Sequence, residues 1–581
     1  MISKHMKREI ILGISGLQRS PAAALMIDGA IVAAAEEERF SRLKNTSGFP
    51  FRAAQFCLSH ARIRLDEVTT VAFGKSLSRV LQEDASLEYS TGKECRSWPQ
   101  FARLFDGSAN KATIDCVPHQ LAHAASAFSL CEGESAAFLT VDHYGESKPI
   151  TAGYITPRQC RTYFSLGYPD SLAMVYAAVT GYLGFRPLSD EYRVMGLAAY
   201  GMPSFIETMR DIVKLKDNGT IEINTEYFIF PGSENRVPLV SDKFIAAFGA
   251  PRDPRCGINK IHKDTASSLQ QVMRQALIHL ARHLKKLTDL DTLCYSGDLA
   301  LNCDCNTALA EAGLFKNIYI HPASHDAGTA VGACWYSDRI LKGNKRKRDT
   351  SSPVYLGSEF SCGNIAQLID PFIFDFQELN ESVLISECAY ALASGKVAGW
   401  FQGRAEWGPR SLGNRSILAD PRQSGVAGRV NEKIKFREPF RPFAPSVLIE
   451  EAKDYFEFPE GIDMSSMLFL AKAKDIARTN APAVVHVDGT CRVQTVSFGQ
   501  NPLYWRLLSK FKEITGVPVL LNTSFNVNGE PIVNTPQEAL RCFHSSNLDV
   551  LYIGNFRVTK VRAAPRDEAA ALQNKEVALR R

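Results

Sequence analysis

No two of the 14 cysteines stand in a CxxC pair, which excludes the commonest zinc knuckles and thioredoxin-type redox motifs. Cys303 and Cys305, two apart, are expected to face one side of a strand and to form no zinc knuckle. Buried, reduced thiols are the plain reading. Long apolar runs are missing as well; none approaches the ~20 residues of a membrane-spanning helix. Met1 to Glu9 carries charges, with no signal-peptide apolar stretch behind it. The chain is therefore expected in the cytoplasm, with no membrane partner. An excess of one charge is also absent. Lys and Arg number 67 against 62 Asp and Glu, a formal net charge of +5 over 581 residues. So weak a bias argues against nucleic acid as the main partner. No internal repeat is visible.

What is present is ordinary globular material, 45% hydrophobic and 22% charged. It allows a large core and, at roughly 100–200 residues per domain, three or four structural units. Ile10–Ser15 reads as a strand. Ala22–Ile27 and Ala30–Ala35 flank Asp28-Gly29, a hairpin signal because both turn residues accept positive φ. Helices are expected over Phe51–Ser59, His119–Leu130, Ser171–Leu183 and Thr265–Thr288. Strands are expected over Val68–Phe73, Ala136–Val141, Thr292–Tyr295 and Asn317–Ile320. The alternation predicts an α/β architecture. Glu83–Ala109 is polar and irregular, a surface insertion or an acceptor lid. Lys342–Pro353, with the basic run Lys345-Arg-Lys-Arg348, cannot bury a face and reads as a boundary. A second α/β unit begins near Phe372, and Ala563–Arg581 is a charged tail.

Two stretches carry chemistry. His119-Gln-Leu-Ala-His123 puts two imidazoles on one face of a helix, close enough to share an ion. A hydrogen-bonded pair of core histidines is the bland alternative. Asp142 ends the strand Ala136–Val141, and Asp326 follows the strand Asn317–Ile320. Two neutral nitrogens and two carboxylates suit a divalent metal: iron(II), manganese or zinc. The second stretch sets Arg404, Arg410 and Arg415 among glycines, then Lys435 and Arg437 among prolines and aromatics, with Arg492 in a further turn. Arg matches phosphate oxygens bidentately, and Gly lets backbone N–H groups approach them. The alternative is a solvated basic face. Ser524 and Asn526 follow the apolar strand Val517–Leu521, where hydroxyls and amides can hold a nucleotide or serve as ordinary turn residues.

Eight motifs taken together resemble the NodU/CmcH family of O-carbamoyltransferases. They are Glu37–Arg42, His119–Phe128, Glu191–Gly201, Ala300–Asn302, Asp326–Gly328, Gly403–Arg422, Lys435–Pro445 and Asn522–Gly529. The resemblance implies an actin-like (ASKHA, Kae-type) lobe of duplicated α/β subdomains over 1–341. A linker over 342–371 and a YrdC-like α/β lobe over 372–562 would follow. The YrdC-like lobe would join carbamoyl phosphate to ATP, with Mg, as a carbamoyl-adenylate. The actin-like lobe would pass the carbamoyl to a hydroxyl or amine of a small-molecule, secondary-metabolite acceptor. By motif match, His119, His123, Asp142 and Asp326 fall on metal ligands. Gly145, Glu146, Arg193, Ser296, Gly297, Asn302, Ser524 and Asn526 fall on nucleotide positions. Arg404, Arg410, Arg415, Lys435, Arg437 and Arg492 fall on carbamoyl-phosphate positions. A monomer or homodimer is expected.

The chain departs from the family pattern in its first lobe. Arg19-Ser20 stands where relatives have His-Asp, and Asn45 replaces a second histidine. His143, Asp298 and His325 replace glycines. Arginine stays protonated and cannot serve as a base near neutral pH. His143 or His325 is therefore expected to handle the proton, with Arg19 beside the reaction. Two alternatives share these motifs: a threonylcarbamoyl-type tRNA-modifying enzyme, and a degenerate member acting as a binding partner.

Overall fold

The computed structural model describes residues 8–16, 19–76, 112–230, 237–345 and 354–561. The Glu83–Ala109 segment, most of the Lys342–Pro353 boundary and the tail after Ala563 lie outside the described residues. The chain forms two compact units. The first runs to Leu356 and takes back Trp407–Pro409 and Phe458–Leu470; the second holds Gly357–Glu406, Arg410–Glu457 and the chain from Ala471.

The first unit opens with β1 (Ile10–Ser15), β2 (Ala22–Ile27) and β3 (Ala30–Glu36), an antiparallel meander. Asp28 and Gly29 both have positive φ, 51° and 87°, as the turn between β2 and β3 demands. Strands β4 (Thr70–Phe73) and β5 (Thr113–Cys116) add parallel to β1, giving the order β3-β2-β1-β4-β5. Helix α1 (His119–Phe128) follows. Then the pattern recurs. β6 (Ala136–Val141), β7 (Ile150–Ile155) and β8 (Cys160–Leu166) form a second meander. After helices α2 (Leu172–Tyr182) and α3 (Lys260–Thr288), β9 (Thr292–Ser296) pairs parallel to β6. Helix α4 (Cys303–Glu311) leads to β10 (Asn317–Ile320), parallel to β9, and helix α5 (Thr329–Tyr336) closes the copy. The order β8-β7-β6-β9-β10 repeats the first sheet strand for strand. This duplicated meander-plus-two-parallel-strands order is that of the actin-like fold.

The closing helices of the two copies, α1 and α5, cross closely because small residues line both. Ala124, Ala125, Ala127, Ala330 and Ala333 are fully buried between them. At Gly332 a Cβ would lie 1.8 Å from the Ala122 carbonyl oxygen, so only glycine permits the crossing. Phe128 and Trp335 seal the far end edge to face, ring centroids 5.2 Å apart. Helix α3 starts five residues before the expected Thr265, because the Asn259 side chain caps it by accepting from the His262 amide at 3.1 Å. Cys303 and Cys305 are a correction: they sit in the first turn of α4, not on a strand. Asn302 caps that helix by accepting from the Cys305 amide at 3.1 Å.

The second unit is built on one mixed sheet of eight strands. In chain order they are β11 (Phe374–Glu378), β12 (Ala398–Phe401), β13 (Arg415–Ala419), β14 (Ala444–Leu448), β15 (Gln494–Val496), β16 (Val519–Ser524), β17 (Val550–Ile553) and β18 (Phe556–Lys560). They lie in the order β11-β18-β17-β12-β13-β16-β14-β15. The inner strands β12, β13, β14 and β17 are buried along their whole length, as their apolar runs anticipate.

Candidate active site

In the first unit, four ligand-type atoms converge where the two copies meet. His119 opens α1 and His123 lies one turn on; Asp142 follows β6, and Asp326 precedes α5. His119 Nε2 is 3.0 Å from Asp142 Oδ2 and 3.3 Å from Asp326 Oδ1. His123 Nε2 is 3.1 Å from His119 Nε2, 3.8 Å from Asp142 Oδ2 and 3.7 Å from Asp326 Oδ1. Backbone and hydroxyl partners fix both tautomers. His119 Nδ1 faces the Gly74 carbonyl oxygen at 3.0 Å, an acceptor only, so Nδ1 carries the proton. His123 Nδ1 faces Ser296 Oγ at 3.3 Å, and that hydroxyl donates to the Ser324 carbonyl at 3.1 Å. The His123 Nδ1–H therefore donates to Ser296.

Both imidazoles thus turn lone pairs toward each other and toward two carboxylates. Such a set repels itself unless a cation lies within it. A proton can serve. Burial alone would lower His119, but hydrogen bonds to Asp142 and Asp326 raise it well above its usual 6.5. A divalent ion fits equally well, since all four atoms lie within 4.8 Å of one another. Among the described residues Asp142 Oδ1 is buried without a hydrogen-bond partner, and Asp326 Oδ1 faces the two imidazoles at 3.3 and 3.7 Å.

Beside this cluster stand three residues from three distant segments. His143 Nδ1 makes a short contact with Asp298 Oδ2 and lies 3.1 Å from Arg19 Nη1. Arg19 Nη1 is 3.7 Å from Asp298 Oδ2, and its other nitrogen donates to the Leu188 carbonyl at 3.3 Å. Burial alone would lower His143, but the Asp298 charge raises it. Burial opposes ionisation of Asp298, yet His143 and Arg19 hold it below the usual carboxylate range. With Nδ1–H directed at the carboxylate, Nε2 is the basic nitrogen. On the other flank, His325 Nε2 is 3.9 Å from Glu36 Oε2, and Arg39 Nη2 is 3.9 Å from Glu36 Oε1. Burial raises Glu36 despite those two neighbours.

In the second unit, Lys435 is buried and its ammonium meets four oxygens. They are Ser524 O at 2.7 Å and Oγ at 3.2 Å, and Asn526 O at 2.9 Å and Oδ1 at 2.6 Å. Arg437 donates from Nε to Asn431 Oδ1 at 2.6 Å and lies 4.4 Å over the Phe443 ring. Arg404, Arg410 and Arg492 are half-buried. Glu406, itself buried, places Oε1 among three backbone amides: Leu412 at 2.7 Å, Asn414 at 2.8 Å and Arg415 at 3.1 Å.

Comparison with known proteins now decides the family. The family model "Carbamoyltransferase N-terminus" matches residues 103–335, and "Carbamoyltransferase C-terminus" matches 389–560. An uncharacterised protein of Synechocystis sp. is 36% identical, covering 96% of this chain and 98% of its own. The nodulation protein NolNO of Sinorhizobium fredii is 35% identical over 94% of this chain and 80% of its own. The chain belongs to the carbamoyltransferase family. The 3'-hydroxymethylcephem-O-carbamoyltransferase of Amycolatopsis lactamdurans is 31% identical over 64% of this chain and 65% of its own. This chain is accordingly a carbamoyl-transferring enzyme.

Within this carbamoyltransferase, the four expected metal positions meet, and so do Lys435, Ser524 and Asn526. Other expected site residues are engaged by the protein's own groups. Arg415 is a correction: it is fully buried, and its terminal nitrogens point at the carbonyl oxygens of Gln402, Asn414, Ser358 and Gly403, with Phe401 stacked at 3.7 Å. Burial pushes its pKa down to about 10, and these contacts brace the loop. Ser296, also fully buried, sits behind His123. The Asn302 side chain is locked by reciprocal bonds with Gln270 at 3.0 and 3.1 Å. Glu146 accepts from Ser76 N and Oγ at 2.8 Å each and from the His119 amide at 3.1 Å, holding the start of α1. Arg193 pairs with Asp190 at 3.2 Å. Gly297 brings the end of β9 against Val141, where a Cβ would lie 2.3 Å from its carbonyl oxygen. Sequence reasoning missed Gln120, inside the HxxxH motif, and Glu406. A buried orphan or an amide nest leaves no spacing signal.

Proposed function

We propose that this carbamoyltransferase is ATP-dependent. The second unit, read as a YrdC-like lobe, cleaves carbamoyl phosphate with one water to carbamate and phosphate. A carbamate oxygen then attacks the α-phosphorus of ATP, the bond to the β-phosphate oxygen breaks, and pyrophosphate leaves as carbamoyl-adenylate forms. Lys435 and Arg437, with Arg404, Arg410 and Arg492, offset the repulsion between two polyanions. Ser524 and Asn526 hold the ammonium of Lys435 in place.

The first unit, read as the actin-like lobe, passes the carbamoyl to a hydroxyl of a small, secondary-metabolite-like acceptor. His119, His123, Asp142 and Asp326 would hold a divalent ion, for which iron(II), manganese and zinc all suit the donors. Such an ion supplies positive charge to a phosphate oxygen. The acceptor oxygen attacks the carbamoyl carbon, the bond from that carbon to the phosphate oxygen breaks, and AMP leaves. The acceptor proton goes to His143 Nε2, whose other nitrogen is aligned by Asp298. Arg19 lies where it offsets charge at that pair. Arg193, Gly145 and Gly297 border the place for the nucleotide. The near-even charge balance, +5 over 581 residues, supports a small acceptor over nucleic acid.

The observation that carries this reading is the convergence of two imidazoles and two carboxylates in one buried cluster. The test uses purified protein with ATP and carbamoyl phosphate. Pyrophosphate release that needs carbamoyl phosphate is expected, and Lys435→Met should lower it by about 100-fold or more. A candidate acceptor should gain the mass of one carbamoyl group. His143→Ala should slow that gain about 100-fold and leave pyrophosphate release intact. Pyrophosphate release that ignores carbamoyl phosphate would refute the first half. Normal transfer by His143→Ala would refute the assigned base.

A further inference from the structure

Gln120 is the second residue of α1, between the two halves of the motif that supplies His119 and His123. It is 5% exposed, and among the described residues neither its amide nitrogen nor its amide oxygen has a hydrogen-bond partner. A buried primary amide with both ends unsatisfied costs stability and is rare in a native protein. Its surroundings place it at the edge of the four-ligand cluster. A Cβ at Gly145 would lie 2.0 Å from Gln120 Nε2, and the same point is 3.5 Å from Asp142 Oδ2. The amide and the carboxylate therefore flank a single glycine.

The segment covering the amide has an unusual backbone. Gly145, Glu146 and Ser147 all have positive φ, at 52°, 57° and 72°. For Glu146 and Ser147 that region is disfavoured, because the side chain crowds the backbone. The run is held by the Glu146 carboxylate, which binds Ser76 and the His119 amide. So a strained three-residue cover lies over an unsatisfied donor–acceptor pair, next to a site that fits a metal ion.

The missing partner can be described by chemistry. A carbamoyl group is a planar unit with one carbonyl acceptor and one N–H2 donor. A glutamine amide offers the complementary pair on one edge, so the two can form a cyclic, two-bond contact. We propose that Gln120 is a substrate-binding residue that recognises the carbamoyl group by this amide-to-amide pairing, once Gly145–Ser147 moves aside. The inference rests on the reading that transfer takes place at the four-ligand cluster. Gly145 then has a definite role, because any larger residue would fill the position of the amide.

The test compares wild type with Gln120→Met, which keeps length and removes both polar atoms, and with Gln120→Glu, which keeps an acceptor and loses the donor. Full-length protein carrying its metal is given ATP and carbamoyl phosphate, and pyrophosphate and AMP are measured separately. Pyrophosphate reports adenylate formation; AMP reports the transfer half, with water as acceptor. Gln120→Met should lower AMP release at least about tenfold, with pyrophosphate release and metal content unchanged. Its thermal unfolding midpoint should rise, because an orphaned buried amide is gone. Gln120→Glu should fall between the two. Wild-type AMP release by Gln120→Met would overturn the proposal, and so would loss of metal from that variant, which would make Gln120 a packing residue. If wild type releases pyrophosphate but no AMP, the transfer reading fails and this inference falls with it.

Discussion

A histidine becomes a ligand only when its proton sits on the right nitrogen. In this protein the Gly74 carbonyl decides that for His119, and the Ser296 hydroxyl for His123. Ser296→Ala should therefore weaken metal affinity about 10- to 100-fold without removing any ligand. Competition against a chromophoric chelator measures this, and an unchanged affinity would remove Ser296 from the role. The two histidines and two aspartates were legible as candidates from spacing and strand ends. Ser296 was legible only as a nucleotide position, through the family resemblance. Its real neighbours come from α1 and the Ser324 loop, far away in sequence. Arg415 shows the opposite failure. An arginine among glycines suggests an anion, but its guanidinium is directed at backbone carbonyls, which no local pattern encodes.

At the scale of elements, α1 and α5 hold the site because they cross at a glycine. Gly332→Ala would force its Cβ into the Ala122 carbonyl, 1.8 Å away. The helices must part, with a loss of about 1–3 kcal/mol. His119 and Asp326 would separate too, so the variant should show a lower unfolding midpoint and weaker metal retention together. The strand β3 ends in a buried acidic pair. The Glu37 carboxylate accepts from the Ala53 amide at 2.8 Å, and burial pushes its pKa up to about 7 from the usual 4.5. Between those values the folded state holds a proton that the unfolded chain has lost. Stability from this group is thus fully present below pH 4.5 and is lost as pH rises toward 7, by about 3 kcal/mol in all. Glu37→Gln should lose less of its unfolding midpoint than wild type between pH 5 and 7.5. Equal losses would show that the group does not titrate in this window. Element types were largely readable, since β1 to β3 are apolar runs and the Asp28-Gly29 turn follows turn chemistry. Cys303 and Cys305 were misplaced, because their i,i+2 spacing alone reads as one face of a strand, while the helix start there is set by the Asn302 side-chain cap.

At the scale of the molecule, the first unit is a duplicated chain fold whose copies share no visible sequence repeat. Side-chain patterns drift while strand order persists, because order depends on which edges remain to be paired. The candidate ligands come from both copies: His119 and His123 from the first, Asp142 and Asp326 from the second. A bound ion therefore ties the copies together and should raise the unfolding midpoint. At 100 times its dissociation constant, the stabilisation is about 2.7 kcal/mol. Calorimetry with and without added metal checks this, and His123→Ala should abolish the shift. A wild-type midpoint indifferent to metal would count against the site.

The amino-acid order alone determined the α/β class, the first hairpin, the family and the residue types able to bind a metal or an anion. Those depend on local periodicity and on short motifs, which the chain carries wherever it goes. Tertiary structure alone decided that Arg19, His143 and Asp298 form one cluster, that Arg415 and Ser296 are supports, and that Gln120 lies unsatisfied beside Asp142. Each of those facts is a distance between segments far apart in sequence, set by how two sheets and two helices pack.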